Sequence, residues 1–149
     1  MYASNQPRVR PCACTTVKKL SRVLGRTYDA ALADAGINIT QLAVLRCIVR
    51  LEGEPLVRVA EELELERTAL YRALAPMIRD GWIVTSDTRP GNVKTAKITK
   101  KGRKLLTSVG RDWDGVQSEL VKKFGAREFD ALVGELYRLA SCAETLNAQ

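Results

Sequence analysis

Apolar positions in the first half of the chain recur at intervals of three and four, the spacing that lines one face of a helix. Thr15 or Thr16 can cap a first helix in which Val17, Leu20, Leu24, Tyr28, Ala31 and Leu32 share a face, and Gly36 in "DAGIN" suits its C-terminal end. Thr40 can cap a second helix carrying Leu42, Leu45, Ile48, Val49 and Leu51, closed by "EGEP". A short third helix is predicted in "PLVRVAEELE", with Pro55 near its first turn. The fourth lies in "ELERTALYRALAPMIRDGW", residues 64–82. Wound as a helix, it puts Leu70, Leu74 and Met77 on one side and Arg67, Thr68, Tyr71 and Arg72 on the other. The first side is core. The second offers two guanidiniums, a hydroxyl and a phenol, more hydrogen-bonding capacity than solvation requires. Pro76 lacks a backbone donor and is expected to kink this helix or shorten its regular part.

After Gly81 the period changes. "WIVTSD" and "VKTAKIT" are short and rich in β-branched residues, and "TRPGN" between them holds Pro90 and Gly91 as turn formers, so a two-stranded hairpin is predicted. From Lys101 the chain is helical again, with Leu105, Val109, Trp113, Val116 and Leu120 in one stripe, until "FGARE" breaks it. A last helix carries Phe129, Leu132, Val133, Leu136, Leu139 and Ala143. The fold class is therefore mainly α with a small β-hairpin wing. Residues 1–15 read as an irregular N-terminal arm and 16–149 as a single domain. Within that domain the winged helix-turn-helix spans about 40–99, and amphipathic helices occupy about 16–35 and 101–146. These terminal helices carry more apolar surface than the small central unit can cover, and burying them against a second copy predicts a two-fold homodimer.

Charge sharpens this picture. Twenty-four Lys and Arg against seventeen Asp and Glu give a net charge of +7, which favours a polyanionic partner. Eight of the cations (Arg89, Lys94, Lys97, Lys100, Lys101, Arg103, Lys104 and Arg111) fall between Thr88 and Arg111 without one acid, around the hairpin that follows the helix-turn-helix. Lys94 and Lys97 are expected to alternate with inward-facing positions on one strand, as phosphate contacts, while Lys104 and Arg111 are read as solvated. At 149 residues, 46% hydrophobic and 28% charged, the chain can bury a core and is not a disordered sequence.

Other classes are disfavoured. No run approaches the roughly 18 apolar residues of a membrane span, and "MYASNQPRVRPCACTT" has no apolar segment after its arginines, so a cytoplasmic protein without a membrane partner is expected. Histidine is absent, which removes the commonest general base and metal ligand. No phosphate-cradling glycine loop or paired acidic site takes its place, so no enzyme, cofactor or metal is expected. Cys12 and Cys14 alone do not complete a tetrahedral zinc site, and Cys47 and Cys142 sit within helical patterns as small core residues.

Three stretches together resemble the MarR family of bacterial transcription regulators: "ITQLAVLRCI", "LVRVAEELELERTALYRALAPMIRDGWI" and "SDTRPGNVKTAKITKKGRKLL". The likeness covers about residues 16–146. It implies a homodimer held by terminal helices that binds a pseudo-palindromic duplex and releases it when a small molecule or oxidant arrives. Carried onto this chain, the recognition helix starts near Arg67, Asp87 orients Arg89, and Arg89 enters the minor groove from the wing tip. The resemblance also implies an effector pocket between the dimer helices and the winged unit. Tyr28, Arg46 and Trp113 are candidates to line it, an aromatic and cationic set suited to a small aromatic or anionic effector, although Tyr28 and Trp113 lie on the apolar stripes and better suit a dimer core.

Cys12 and Cys14 are candidate redox thiols. They lie just ahead of the expected first helix, whose dipole favours thiolate, and Arg8, Arg10, Lys18 and Lys19 add positive charge. The leading expectation is a sequence-specific regulator, a repressor released by a ligand or by cysteine oxidation. The alternatives are an architectural protein that coats DNA without choosing sites and a thiol-dependent enzyme.

Overall fold

The computed structural model describes residues 10–89, 91 and 93–148, with the backbone alone at Thr88 and Arg89. Most of the expected arm, including Arg8, and Pro90 of the expected turn lie outside the described residues. Helix α1 spans Ala13–Leu32 and runs into a single 3-10 turn, Ala33–Ala35. It starts ahead of Thr15 and Thr16, so the arm expected to reach residue 15 is already helical from Ala13. The Thr16 hydroxyl donates back to the Cys12 carbonyl at 3.0 Å, which satisfies a carbonyl of the preceding turn and takes the side chain out of a capping role. Gly36 ends the segment at φ 69°, as its position after "DA" predicts.

Helix α2, Ile39–Arg50, is capped by Asn38 and not by Thr40. The Asn38 side chain accepts from the Gln41 amide at 2.8 Å, while the Gln41 side chain accepts from the Asn38 amide at 3.0 Å. This reciprocal pair satisfies two donors that a lone Thr40 cannot, and it moves the cap two residues earlier. Asp29 of α1 adds a third contact, accepting from the Ile39 amide at 2.7 Å.

Helix α3, Leu56–Glu62, and α4, Arg67–Arg79, are joined by a tight turn. Glu64 takes the left-handed conformation there, φ 50°, and the Leu65 amide closes the turn on the Ala60 carbonyl at 2.9 Å. Pro76 does not shorten α4, which continues through it to Arg79. The helix ends where Trp82 donates to the Met77 carbonyl and Gly81, at φ 74°, reverses the chain. Strands β1, Ile83–Arg89, and β2, Val93–Ile98, form the antiparallel hairpin, with Ile83 opposite Ile98 and Ser86 opposite Thr95. An irregularity between Ser86 and Arg89 shifts the register, so that Arg89 lies opposite Val93. Helices α5, Lys100–Phe124, and α6, Ala126–Asn147, complete the chain, with Gly125 between them at φ 102°.

The described chain forms two compact units that divide within α5, the first running to Val109 and the second from Gly110. In the first, α2 packs against α1, α3, α4 and β2. Leu32, Leu42, Leu45, Ile48, Leu70, Leu74, Met77, Ile83 and Val109 are all at most 1% exposed and form its core. Each such side chain contributes about 1.5–3 kcal/mol of apolar burial. In the second unit α6 buries no residue, and Leu132, Tyr137, Leu139 and Leu146 are exposed on it. Cys47 is in the core, as expected, but Cys142 is exposed because α6 lies outside any closed core. Among the described residues no single helix is long and apolar enough to cross a membrane.

Candidate nucleic-acid interface

Helix α4 divides as its periodicity predicts. Leu70, Leu74 and Met77 are buried, Arg67, Thr68 and Arg72 are exposed, and Tyr71 is half-buried between the two faces. The helix begins at Arg67, and Glu66 at its cap position makes no capping side-chain bond, so the first-turn amides lie at the exposed end beside Thr68.

Tyr71 joins this helix to the hairpin. The Arg67 guanidinium, one turn earlier, is 5.6 Å from the Tyr71 ring centroid, and the Lys94 ammonium of β2 is 5.7 Å from it. Each contact contributes roughly 0.5–1 kcal/mol at an exposed site. The larger consequence is positional, since two cations from different elements are held around one aromatic ring.

Lys97 is not part of that group. Thr95 and Ala96 are both buried, so burial along β2 does not alternate as expected. Pro55 forms an isolated antiparallel bridge with Thr95, at the edge of β2 that does not pair with β1. Lys94 and Lys97, three residues apart, leave opposite faces of a strand whose period is two. Lys97 stands opposite Val84, with both exposed. Asp87 is exposed on β1 and shares a shallow cleft with Thr85, Ser86 and Lys94. The Arg89 side chain lies outside the described residues, so its expected pairing with Asp87 does too.

The base of the hairpin is tied to α5 by groups whose role the sequence pattern did not reveal. The Thr99 hydroxyl donates to the Gly81 carbonyl at 2.7 Å and lies 3.1 Å from that of Trp82, and it accepts from the Gly102 amide at 3.0 Å. Lys101 donates to the Asp80 carbonyl at 2.8 Å. Thus one cation of the basic run, Lys101, serves the end of α4. The Arg79 side chain beside Asp80 holds that carboxyl below its ordinary range. Val57 is 59% exposed on α3, between buried Leu56 and Val59.

Of the candidate effector residues, Tyr28 is buried in α1 and Arg46 half-buried in α2, both in the first unit, while Trp113 is half-buried on α5 in the second. Burial raises the Tyr28 phenol above its ordinary value. Cys12 occupies the cap position of α1 and Cys14 its first turn, one step further into the helix than the sequence predicts. As a neutral thiol Cys12 makes no capping bond. The neighbouring Thr15 amide and then its hydroxyl favour the thiolate and pull the Cys12 pKa down, with smaller help from the Cys14 amide and Lys18. Cys47 shifts the opposite way because burial disfavours its thiolate.

Helix, tight turn, helix and antiparallel hairpin define a winged helix-turn-helix. No protein-family model and no curated protein sequence matches the chain. Solved structures do. The M. tuberculosis transcriptional regulator MosR, in complex with DNA, is 31% identical with a TM-score of 0.81, over 91% of this chain and 98% of that one. A second MosR structure is 33% identical with a TM-score of 0.78, over 90% and 96%. PcaV from Streptomyces coelicolor, in complex with its natural ligand, shares the fold at 17% identity and a TM-score of 0.79, over 95% and 99%. The chain belongs to the MarR family of transcriptional regulators.

Proposed function

We propose that the protein is a sequence-specific, duplex-DNA-binding repressor that acts as a homodimer on a pseudo-palindromic operator. The observation that carries this reading is the polar face of α4, with Arg67, Thr68, Tyr71 and Arg72 beside Lys94 of the hairpin. An α-helix fits the major groove, and a guanidinium fork suits bidentate contact with guanine, worth about 1–3 kcal/mol of discrimination. Lys94 supplies charge for phosphate, and Arg89 extends the wing toward the minor groove. MosR, the relative at 31% identity, was solved with DNA, which supports the reading. The dimer is favoured by Val17, Leu20 and Val23, exposed on α1, and by the uncovered α6. Release is by a small effector or by oxidation at Cys12 and Cys14, where the shifted Cys12 thiol supports the second route.

The test is a titration of reduced protein against fluorescent duplexes tiled across the DNA upstream of its own gene, with scrambled duplexes at the same near-physiological salt. One tiled duplex should bind about a thousandfold more tightly than scrambled DNA, the range of specific readers. Equal binding to every duplex would favour the architectural alternative, and peroxide that leaves a specific complex intact would remove the oxidation route.

A further inference from the structure

Asp80, Gly81 and Trp82 link the end of α4 to the start of β1, so their backbone sets the angle between the helix and the hairpin. On the helix side their amides donate to the carbonyls of Pro76, Ile78 and Met77, at 2.9, 3.0 and 2.9 Å in that order. Their own carbonyls are taken, one after another, by Thr99 and Lys101 at the start of α5. Asp80 accepts from the Lys101 ammonium at 2.8 Å, Gly81 from the Thr99 hydroxyl at 2.7 Å, and Trp82 from the Thr99 amide at 2.9 Å. The Thr99 hydroxyl in turn accepts from the Gly102 amide at 3.0 Å, which leaves its own proton for the link. Gly102 has no side chain to hold the two segments apart.

Capping α5 needs only the Gly102 bond. The donors to Asp80 and Gly81 act on a different element, and Gly81, at φ 74°, is the link residue with the most conformational freedom. Holding its carbonyl from the α5 side removes a swing of the hairpin that the bonds to α4 alone do not restrain. We propose that Thr99 and Lys101 are positioning residues for DNA recognition. By clamping the link they fix the hairpin against α4, keep Lys94 beside the Tyr71 ring, and set the angle at which helix and wing meet the duplex together. Neither residue contacts DNA in this assignment. The geometric half stands on the contacts themselves, and the recognition half rests on the function proposed above.

The first experiment uses no DNA. In the isotope-labelled full chain, the NMR shifts of the Lys94 side-chain protons report their distance from the Tyr71 ring, and the ring's share is the part lost in Tyr71→Leu. Thr99→Val removes the hydroxyl and leaves the Gly81 carbonyl and the Gly102 amide without this partner. Its Lys94 protons should lose most of the ring's share, whereas Thr99→Ser, which keeps the hydroxyl, should retain it. Lys101→Met keeps the stem and removes the ammonium, and should lose a smaller part. Peak dispersion checks folding in each variant. A wild-type Lys94 shift in folded Thr99→Val, or in Lys101→Met where Thr99→Val does not fold, overturns the clamp, as does an equal loss in Thr99→Ser.

The second experiment measures the ratio of affinities for the tightest duplex and a scrambled one, over a range of salt, at a temperature where each variant is folded. Thr99→Val and Lys101→Met should lower that ratio about tenfold, the size of one lost base contact, without changing the salt slope. Thr99→Ser should keep the ratio, and so should Lys104→Met, which removes an exposed cation of the same helix. A slope reduced by about 0.9 with an unchanged ratio in Lys101→Met would make Lys101 a phosphate contact and overturn its positioning role. Unchanged ratios in both variants overturn the recognition half. Failure of every duplex to bind removes the DNA reading, and with it the recognition half, while the Lys94 shift still decides the clamp.

Discussion

A Cβ on Gly102 would stand 2.1 Å from the carbonyl oxygen of Trp82 and 2.8 Å from the Ile98 side chain. The first neighbour is backbone, so the clash cannot be relieved by a rotamer. Helix α5 reaches the end of α4 and the foot of the hairpin only because residue 102 has no side chain. Gly102→Ala should therefore destabilise the protein by about 1–3 kcal/mol, the range for overpacked sites, read as a lower urea midpoint. At Gly110, in the same helix, an added Cβ would meet nothing within 4 Å, and Gly110→Ala should add about 0.5–1 kcal/mol through helix propensity alone. Equal effects at the two positions would refute the close approach at Trp82.

The cap of α2 gives a second paired test. Asn38 and Gln41 exchange two hydrogen bonds, whereas Thr40 lies inside the helix. Asn38→Ala should cost about 1 kcal/mol, and Thr40→Ala should stay within about 0.5 kcal/mol. A larger loss at Thr40 would restore the cap expected from residue preference alone.

The helices, hairpin and apolar core were legible because their signals are local and periodic. Leu70, Leu74 and Met77 separate from Arg67, Thr68, Tyr71 and Arg72 by helical geometry without knowledge of any neighbour. The site was legible only in part, because its remaining members meet through tertiary contacts. Nothing near Lys94 in sequence indicates that it reaches Tyr71 while Lys97 does not; that depends on which face of β2 meets α4. The positive charge of Lys101 looks the same in sequence as that of Lys94, yet it is directed at the Asp80 carbonyl. The α2 cap was misplaced for a similar reason: Thr40 fits the residue preference, but Asn38 and Gln41 satisfy more backbone groups together.

The cysteines should titrate in opposite directions. The Thr15 amide and hydroxyl lower the Cys12 pKa, so its rate of iodoacetamide labelling should reach half-maximum below the ordinary 9.0. Cys47 is 1% exposed and should remain unlabelled until urea unfolds the chain. Its folded pKa is raised, so the unfolded chain loses this proton first as pH increases. Stability should then fall as pH climbs past about 9, and Cys47→Ala should reduce that fall. Tyr28, raised by burial, adds a loss of the same sign above its ordinary 10.0. A Cys12 labelling profile identical to that of the unfolded chain would remove the local effect of Thr15.

Tyr71 is the point at which the proposed reading helix and the wing can be tested together. Lys94→Ala should weaken operator binding and reduce the slope of log affinity against log salt by about 0.9, the contribution of one phosphate on duplex DNA. Lys97→Ala should leave that slope unchanged, because Lys97 leaves the opposite strand face. Arg67→Ala should instead relax sequence preference, by about 1–3 kcal/mol at one base pair if its guanidinium reads guanine. Tyr71→Phe keeps the ring near both cations and should bind more like wild type than Tyr71→Ala does, which loses the ring as well as the hydroxyl. Fluorescence titrations at three salt concentrations, with the operator and single-base variants, separate these outcomes. Equal slope changes at Lys94 and Lys97 would mean that total charge, and not the face gathered around Tyr71, governs binding.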